Sequence, residues 1–299
     1  MLGVELDETH VVAVAVDDQG TVLARAQSAA GGDLAAAAAT ALDQVRGAAA
    51  AASGPGTLGV AAISPDSPAI AAVVSQIGLR FGGTANRNGA VLSGTAAAAA
   101  EAWVGAARGV KDVVFFAVSQ HTTGGIVRDG VALRGARGRA GSVAWLSLNP
   151  VEREDYRKIG CVEAEVAAAG IVRRMIWRIK AGDRSRVQDI VKDDLASMTV
   201  DHVLEAARNG DGVSISVVRD TAKYLGMAAA NLIVVADPEM LVLGGIMASA
   251  ADLLLEPIRT EIARRLPKPM MDALRIETAV LGAEAAAIGA AHLVTAALP

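Results

Sequence analysis

The sequence predicts an α/β fold made by duplication, with two lobes facing a cleft. Three observations lead there. Short Val-rich runs separated by tight turns occur as a triplet at Leu2–Leu6, 11–16 and 21–26, and again at Val113–Val118, 125–127 and 131–136. Helical segments follow each triplet, with apolar strand candidates between them. The length, 299 residues at 53% hydrophobic content, suffices for one large domain or two ordinary ones.

Taken in order, the first triplet turns at Asp7-Glu8-Thr9 and at Asp17-Asp18-Gln19-Gly20. The second triplet turns at Ser119-Gln120-His121-Thr122-Thr123 and at Arg128-Asp129-Gly130. Asp-Gly and Asp-Gln-Gly between alternating apolar runs are hairpin signals, because glycine takes the positive φ that such turns need. An Ala-rich helix is expected over 33–52, with Asp33 as its N-cap. Helical spacing also marks 69–77, 95–107, 163–180, 201–208, 213–235, 250–265 and 284–297, with strands expected at 57–63, 240–243 and 274–280.

Composition excludes several classes. Cys161 is the only cysteine, so an internal disulfide and a Cys-rich metal site are both ruled out. The four histidines, His10, His121, His202 and His292, are scattered. A net charge of −4 gives no general attraction to nucleic acid. No apolar run approaches the roughly 20 residues of a membrane span, and the opening MLGVELDETH has neither a basic segment nor an apolar signal core. A cytoplasmic location is therefore expected.

Four stretches together resemble one family, the repressor/ORF/kinase (ROK) group of sugar kinases and sugar-responsive repressors. They are EAWVGAARGVK (101–111), GGIVRDGVALRGARGRA (124–140), Gly160-Cys161-Val162-Glu163, and NLIVVADPEMLVLGGIM (231–247). The resemblance implies a duplicated actin-like, ribonuclease H-like fold of the sugar-kinase type. It implies an N-terminal lobe of 1–105 plus 283–299, a C-terminal lobe of 106–282, and a homodimer through the second lobe. On the helix over 163–180, Ile171, Met175, Ile176 and Ile179 fit either that interface or the core.

The family's chemistry is poorly matched. Its first phosphate loop has a pattern like Asp-x-Gly-Gly-Thr; here Glu5-Leu6-Asp7-Glu8-Thr9 keeps Thr9 and puts acids at both glycines. Like charges about 4 Å apart near a surface cost roughly 1–4 kcal/mol, so the turn is expected to be a solvated acidic turn. The second loop is Gly-Thr-Gly-x-Gly-Gly-Gly in kin, and only Gly124 and Gly125 remain. A β-branched Thr123 at a positive-φ position would be strained, so that loop is expected to have changed shape. The unperturbed pKa of a histidine suits a base, but no orienting partner for His121 is evident in the sequence. Gly244 and Gly245 match the paired glycines of the adenosine side. Thr9, Gly124, Gly125, Gly244 and Gly245 are thus the vestigial nucleotide candidates.

In kin the catalytic base is the Asp of an Asn-Asp-Ala-Asn motif, because phosphoryl transfer to a hydroxyl needs a carboxylate in reach. Counting back from Glu101 puts Ser93 at that Asp; counting from Gly78 favours Ala85-Asn86-Arg87-Asn88 instead. Neither register restores a base, since no Asp or Glu lies between Asp66 and Glu101. The family's sugar-contacting Glu aligns with Ser142 and its zinc-ligating His with Trp145, read as an apolar plug. Asn86, Asn88, Ser93 and Ser142 are therefore sugar-site candidates, with a turn role for Asn86 and Asn88 equally open. With only Cys161 left of the cysteine cluster, zinc is not expected.

The resemblance then implies a non-catalytic, pseudokinase-like protein that senses a sugar or other small ligand or binds a partner. Two alternatives stand. One is an ATP- and Mg-dependent sugar kinase using Glu5 or Glu101. The other is the effector domain of a ROK-type transcriptional regulator, although a chain whose first strand begins at Leu2 leaves no room for a helix-turn-helix, and no direct nucleic-acid binding is expected.

Overall fold

The computed structural model describes residues 1–51, 57–81 and 89–295. Its first eight elements are β1 Leu2–Leu6, β2 His10–Val16, β3 Val22–Ala29, α1 Leu34–Ala51, β4 Leu58–Ala62, α2 Pro68–Phe81, β5 Val91–Leu92 and α3 Ser93–Trp103. The second series opens with β6 Val113–Val118, β7 Thr122–Arg128 and β8 Val131–Ala132. Helices α4 Glu154–Ile159, α5 Cys161–Val166, α6 Ala168–Lys180, α7 Arg186–Ile190, α8 Val200–Arg208 and α9 Gly212–Ala236 follow. Strand β9 Met240–Gly245, helices α10 Ile246–Ser249, α11 Ala251–Ala263 and α12 Lys268–Ala273, strand β10 Arg275–Thr278 and helix α13 Ala285–Thr295 complete it.

Duplication is visible in the sheets. The first has the order β3-β2-β1-β4-β5 and the second β8-β7-β6-β9-β10, so each reads third, second, first, fourth, fifth in its own numbering. In the first, β2 pairs antiparallel with β1 and β3, while β4 runs parallel to β1. Two compact units result: residues 1–115, 124–141 and 279–299 form one, and 116–123 with 142–278 the other. The first unit thus includes 106–115 and 124–141, which the sequence assigned to the C-terminal lobe.

Small residues set the packing of the first unit. Gly3 and Gly59 are partners in the parallel β1–β4 register. A Cβ on Gly3 would overlap the carbonyl of Ala287, and one on Gly59 that of Ala290, so α13 rests its backbone directly on these two strands. A larger residue would force the helix off the sheet, and overpacking of this kind costs about 1–3 kcal/mol. Helix α3 is buried from Ser93 through Glu101, with the run of alanines at 96–100 included.

Several helix ends differ from the expected ones, each for a local reason. The segment 163–180 is two helices, broken where Ala167 is extended and Ala168 N–H donates to Ser119 O at 2.9 Å. Ile171 and Met175 are core residues of this segment, whereas Trp177 is 67% exposed. Helix α3 stops at Trp103 rather than 107, because the carboxylate of Glu101 captures the next turn. Its Oε2 accepts from Ala106 N–H at 2.7 Å, and its Oε1 accepts from Val280 and Leu281 N–H at 3.0 Å each. Glu101 is completely buried, and it binds the loop that leads into α13. Asp33 caps α1 as expected, accepting from Ala36 N–H at 2.9 Å.

Removing the Glu101 carboxylate should therefore weaken the first unit. Glu101→Ala is expected to cost roughly 3 kcal/mol and Glu101→Gln about half as much, since glutamine keeps one acceptor oxygen. Thermal unfolding followed by circular dichroism reads both; a midpoint unchanged in Glu101→Ala contradicts the assignment.

Candidate functional site

The first turn is built around an inward-facing acid. Asp7 N–H donates to His10 O at 3.1 Å, and Asp7 Oδ1 accepts from Thr9 N–H at 2.8 Å and Thr9 Oγ1 at 2.6 Å. Asp7 is only 5% exposed, so the expected solvated turn is corrected: Glu8 faces water and Asp7 does not. The reason is local satisfaction, as the carboxylate closes its own turn in the manner of short polar side chains. Thr9, the one matching residue of this loop, is the donor in that closure.

At the second turn, Ser119 N–H donates to His121 O at 2.8 Å, and the chain re-enters a strand at Thr122. Gly124 and Gly125 therefore lie inside β7 and not in the turn, and neither Thr122 nor Thr123 takes a positive φ. What these glycines do is admit α3. A Cβ on Gly94 would overlap the backbone of Gly124, and one on Gly125 the carbonyl of Gly94. Ser93, one residue earlier, is 3% exposed, and its Oγ has no partner among the described residues.

His121 has an orienting partner that sequence reading missed. Its Nδ1 lies 3.2 Å from Glu163 Oε1, while Glu163 Oε2 accepts from Thr122 N–H at 2.9 Å. Glu163 is 42 residues away in the chain and comes near because α5 and the start of α6 pack on this turn through the Ala168–Ser119 bond. The only sequence signal was its place in Gly160-Cys161-Val162-Glu163, which gave no hint of the histidine.

Around α4, charged pairs join neighbouring helices of the second unit. Glu165, 5% exposed, accepts from Arg153 Nη1 at 3.0 Å, Tyr156 Oη at 2.5 Å and Arg174 Nη2 at 2.9 Å. Asp155 bridges Arg153 and Arg173 at 2.9 and 2.8 Å, and Arg174 Nη1 reaches Thr221 Oγ1 at 2.8 Å. Burial, together with the bond to Glu165, raises the Tyr156 phenol well above its ordinary range. Short α4 is thereby fastened to α5, α6 and α9. Cys161 is buried, and no group of three or more His, Cys, Asp or Glu side chains among the described residues could hold a metal ion. Trp145 is 57% exposed, which corrects its reading as an apolar plug: it sits on a three-residue turn of helix at the surface.

The remaining candidates are dispersed. Gly245 ends β9 with φ 62° against the carbonyl of Val118, and Gly244 precedes it in the strand. Ser142 is exposed. Asn86 and Asn88 lie outside the described residues. Only Ser93 comes together with Gly124 and Gly125, through its neighbour Gly94.

The ROK family model matches residues 93–297. The chain belongs to the ROK family. It is 34% identical over 201 residues to a glucokinase of Halalkalibacterium halodurans, the match covering 66% of this chain and 60% of that protein. It is 29% identical over 202 residues to the DNA-binding transcriptional dual regulator NagC of Escherichia coli, covering 67% of this chain and 48% of the regulator. This chain therefore spans between about half and three fifths of these relatives. The crystal structure of a ROK family glucokinase from Streptomyces griseus, in complex with glucose and AMPPNP, superposes with a TM-score of 0.80 at 22% identity, over 98% of each chain. The fold is the duplicated actin-like α/β fold of ROK sugar kinases. No helix among the described residues is long and apolar enough to cross a membrane.

Within this ROK chain the arginine–carboxylate network fastens α4. Prolonged dialysis against a chelator is expected to leave the melting temperature unchanged. Arg174→Ala, which strands buried Glu165 with fewer partners, is expected to cost about 3–5 kcal/mol. A chelator-induced fall in the melting temperature would reverse the assignment.

Proposed function

We propose that this ROK-family chain is a small-ligand sensor that does not transfer phosphate. The observation that carries the reading is the engagement of Glu101. No Asp or Glu lies between Asp66 and Glu101. Glu101 is spent on three backbone N–H groups, and Asp66 is ion-paired to Arg139 at 2.7 Å. At the head of α3, the position of the expected base, stands Ser93, whose hydroxyl is too weak a base for the task. The seat of Gly124 and Gly125 inside β7 supports the same reading, because a polyphosphate is held by successive N–H groups of a turn and these glycines lie outside the turn. ATP and Mg belong only to the kinase alternative.

A second reading has one observation in its favour. The His121–Glu163 pair is a histidine oriented by a carboxylate, an arrangement able to accept a proton. A kinase built on it would lose turnover in His121→Gln. The regulator reading draws on the NagC-like relative and concerns a longer chain. Self-association as a homodimer belongs to the proposal as well, and exposed Trp177 on α6 supports it.

A coupled ADP-release assay over neutral, amino and acidic hexoses, with ATP and Mg, is expected to show no turnover above the protein-free rate. Titration calorimetry with ATP–Mg is expected to show no heat of binding up to millimolar nucleotide. Turnover abolished by His121→Gln would establish the kinase reading.

A further inference from the structure

The first unit contains a cleft of about 340 Å³ whose described lining includes neither Ser93 nor Ser142. Its walls come from Pro65 and Asp66, from Val91 at β5, and from the turn after β8, which contributes Arg134, Arg137 and Gly138. That volume lies at the small end of the ~300–1,000 Å³ typical of ligand pockets, the size of a monosaccharide-scale molecule.

Its electrostatics are one-sided. The turn carrying the arginines is closed by Gly138 N–H to Gly135 O at 3.2 Å and by Ala140 N–H to Arg134 O at 3.0 Å. Both guanidinium-bearing residues are thus set on a braced loop. Asp66, the acid of the lining, is already neutralised by Arg139 at 2.7 Å. Neither Arg134 nor Arg137 has a side-chain hydrogen bond or ion pair among the described residues. Arg134 is half-buried, and loss of water holds its guanidinium below its ordinary pKa. A partly dehydrated guanidinium without an acceptor is unfavourable for the empty protein. A planar oxyanion would relieve that cost through paired N–H···O bonds.

We infer that this cleft binds a small molecule bearing an oxyanion, a phosphate or a carboxylate on a monosaccharide-sized body, through Arg134 and Arg137. This deepens the sensor reading and rests on it for the ligand's role, since it assigns the class of molecule sensed. The ordinary alternative is that Arg134 lies across the wall with its methylenes packed and its head in water.

Titration calorimetry separates the two, using glucose 6-phosphate, glucuronate and glucose as probes, with inorganic phosphate as competitor. At least one charged probe is expected to bind ten or more times more tightly than glucose, and to weaken as salt is raised. Which charged probe wins distinguishes a phosphate from a carboxylate. Arg134→Met is expected to lower that affinity tenfold or more, with Arg134→Lys between it and the parent. Should Arg134→Met fail to fold, Arg137→Gln provides the same reading with a smaller loss expected. Absence of binding by both charged probes, equal affinity for glucose, or affinity unchanged in the arginine variants overturns the assignment. ADP release measured with the same probes keeps the two readings apart. Turnover would remove the non-catalytic reading and leave a charged-ligand site intact, whereas silence in both assays removes this site alone.

Discussion

Backbone-to-backbone packing is the constraint on which the first unit depends. Helix α13 lies on Gly3 and Gly59, and α3 lies on Gly124 and Gly125 through Gly94. At such spacing a side chain cannot be interposed, and each helix must be held at a fixed height and rotation. Glu101 completes the arrangement from within: bonds from Val280 and Leu281 N–H tie the end of α3 to the loop before α13, and a third from Ala106 N–H closes the turn after α3. A charged group so deeply buried is tolerated because charge-assisted bonds to oriented donors replace the water it gave up.

This constraint separates persistence of a motif from persistence of its chemistry. Gly124 and Gly125 align with a phosphate loop, and the geometry gives Gly125 a reason to remain glycine without any phosphate: the α3 backbone at Gly94 occupies the space its Cβ would take. Glu101 sits on the helix that follows the family's catalytic motif, yet its oxygens are consumed by structure. A glycine or an acid retained in such a chain is therefore evidence for the fold before it is evidence for a reaction. The arginine–carboxylate pairs around α4 follow the same logic. A small helix such as α4, with no buried residue of its own, needs a fastening, and several chemistries can provide it.

Much of the architecture was legible in the sequence because it is encoded locally. The Asp17–Gly20 and Asp129–Gly130 turns, the alternating strands beside them and the Asp33 cap all follow from neighbours within a few residues. What escaped depended on distant partners. The break at Ala167 is caused by an acceptor at Ser119, and the orientation of His121 by Glu163. Asp7 misled for a different reason: two adjacent acids read as solvent-facing, whereas one of them folds back to close its own turn. Trp145 misled because size and apolarity were taken as burial, and a surface turn of helix needs neither. The arginines of the cleft did leave a trace, the spacing of Arg134 and Arg137 among glycines, but their convergence with Pro65 and Val91 required the fold.

Charge placement ties these features together. In the first turn an acid stands where a polyphosphate would need donors, and in the cleft after β8 Arg134 and Arg137 have no acceptor among the described residues. The two sites thus differ in sign, and an anionic ligand is opposed at one and attracted at the other. Under the reading proposed here, electrostatic selection in this chain acts through the second site: a negatively charged small molecule gains there, while a nucleotide tail meets Asp7 and Glu8. Because Arg134 is half-buried, its attraction is screened less by salt than that of a surface pair. Discrimination between a charged and a neutral sugar of the same size then requires no reshaping of the cleft, only the guanidinium that is already there.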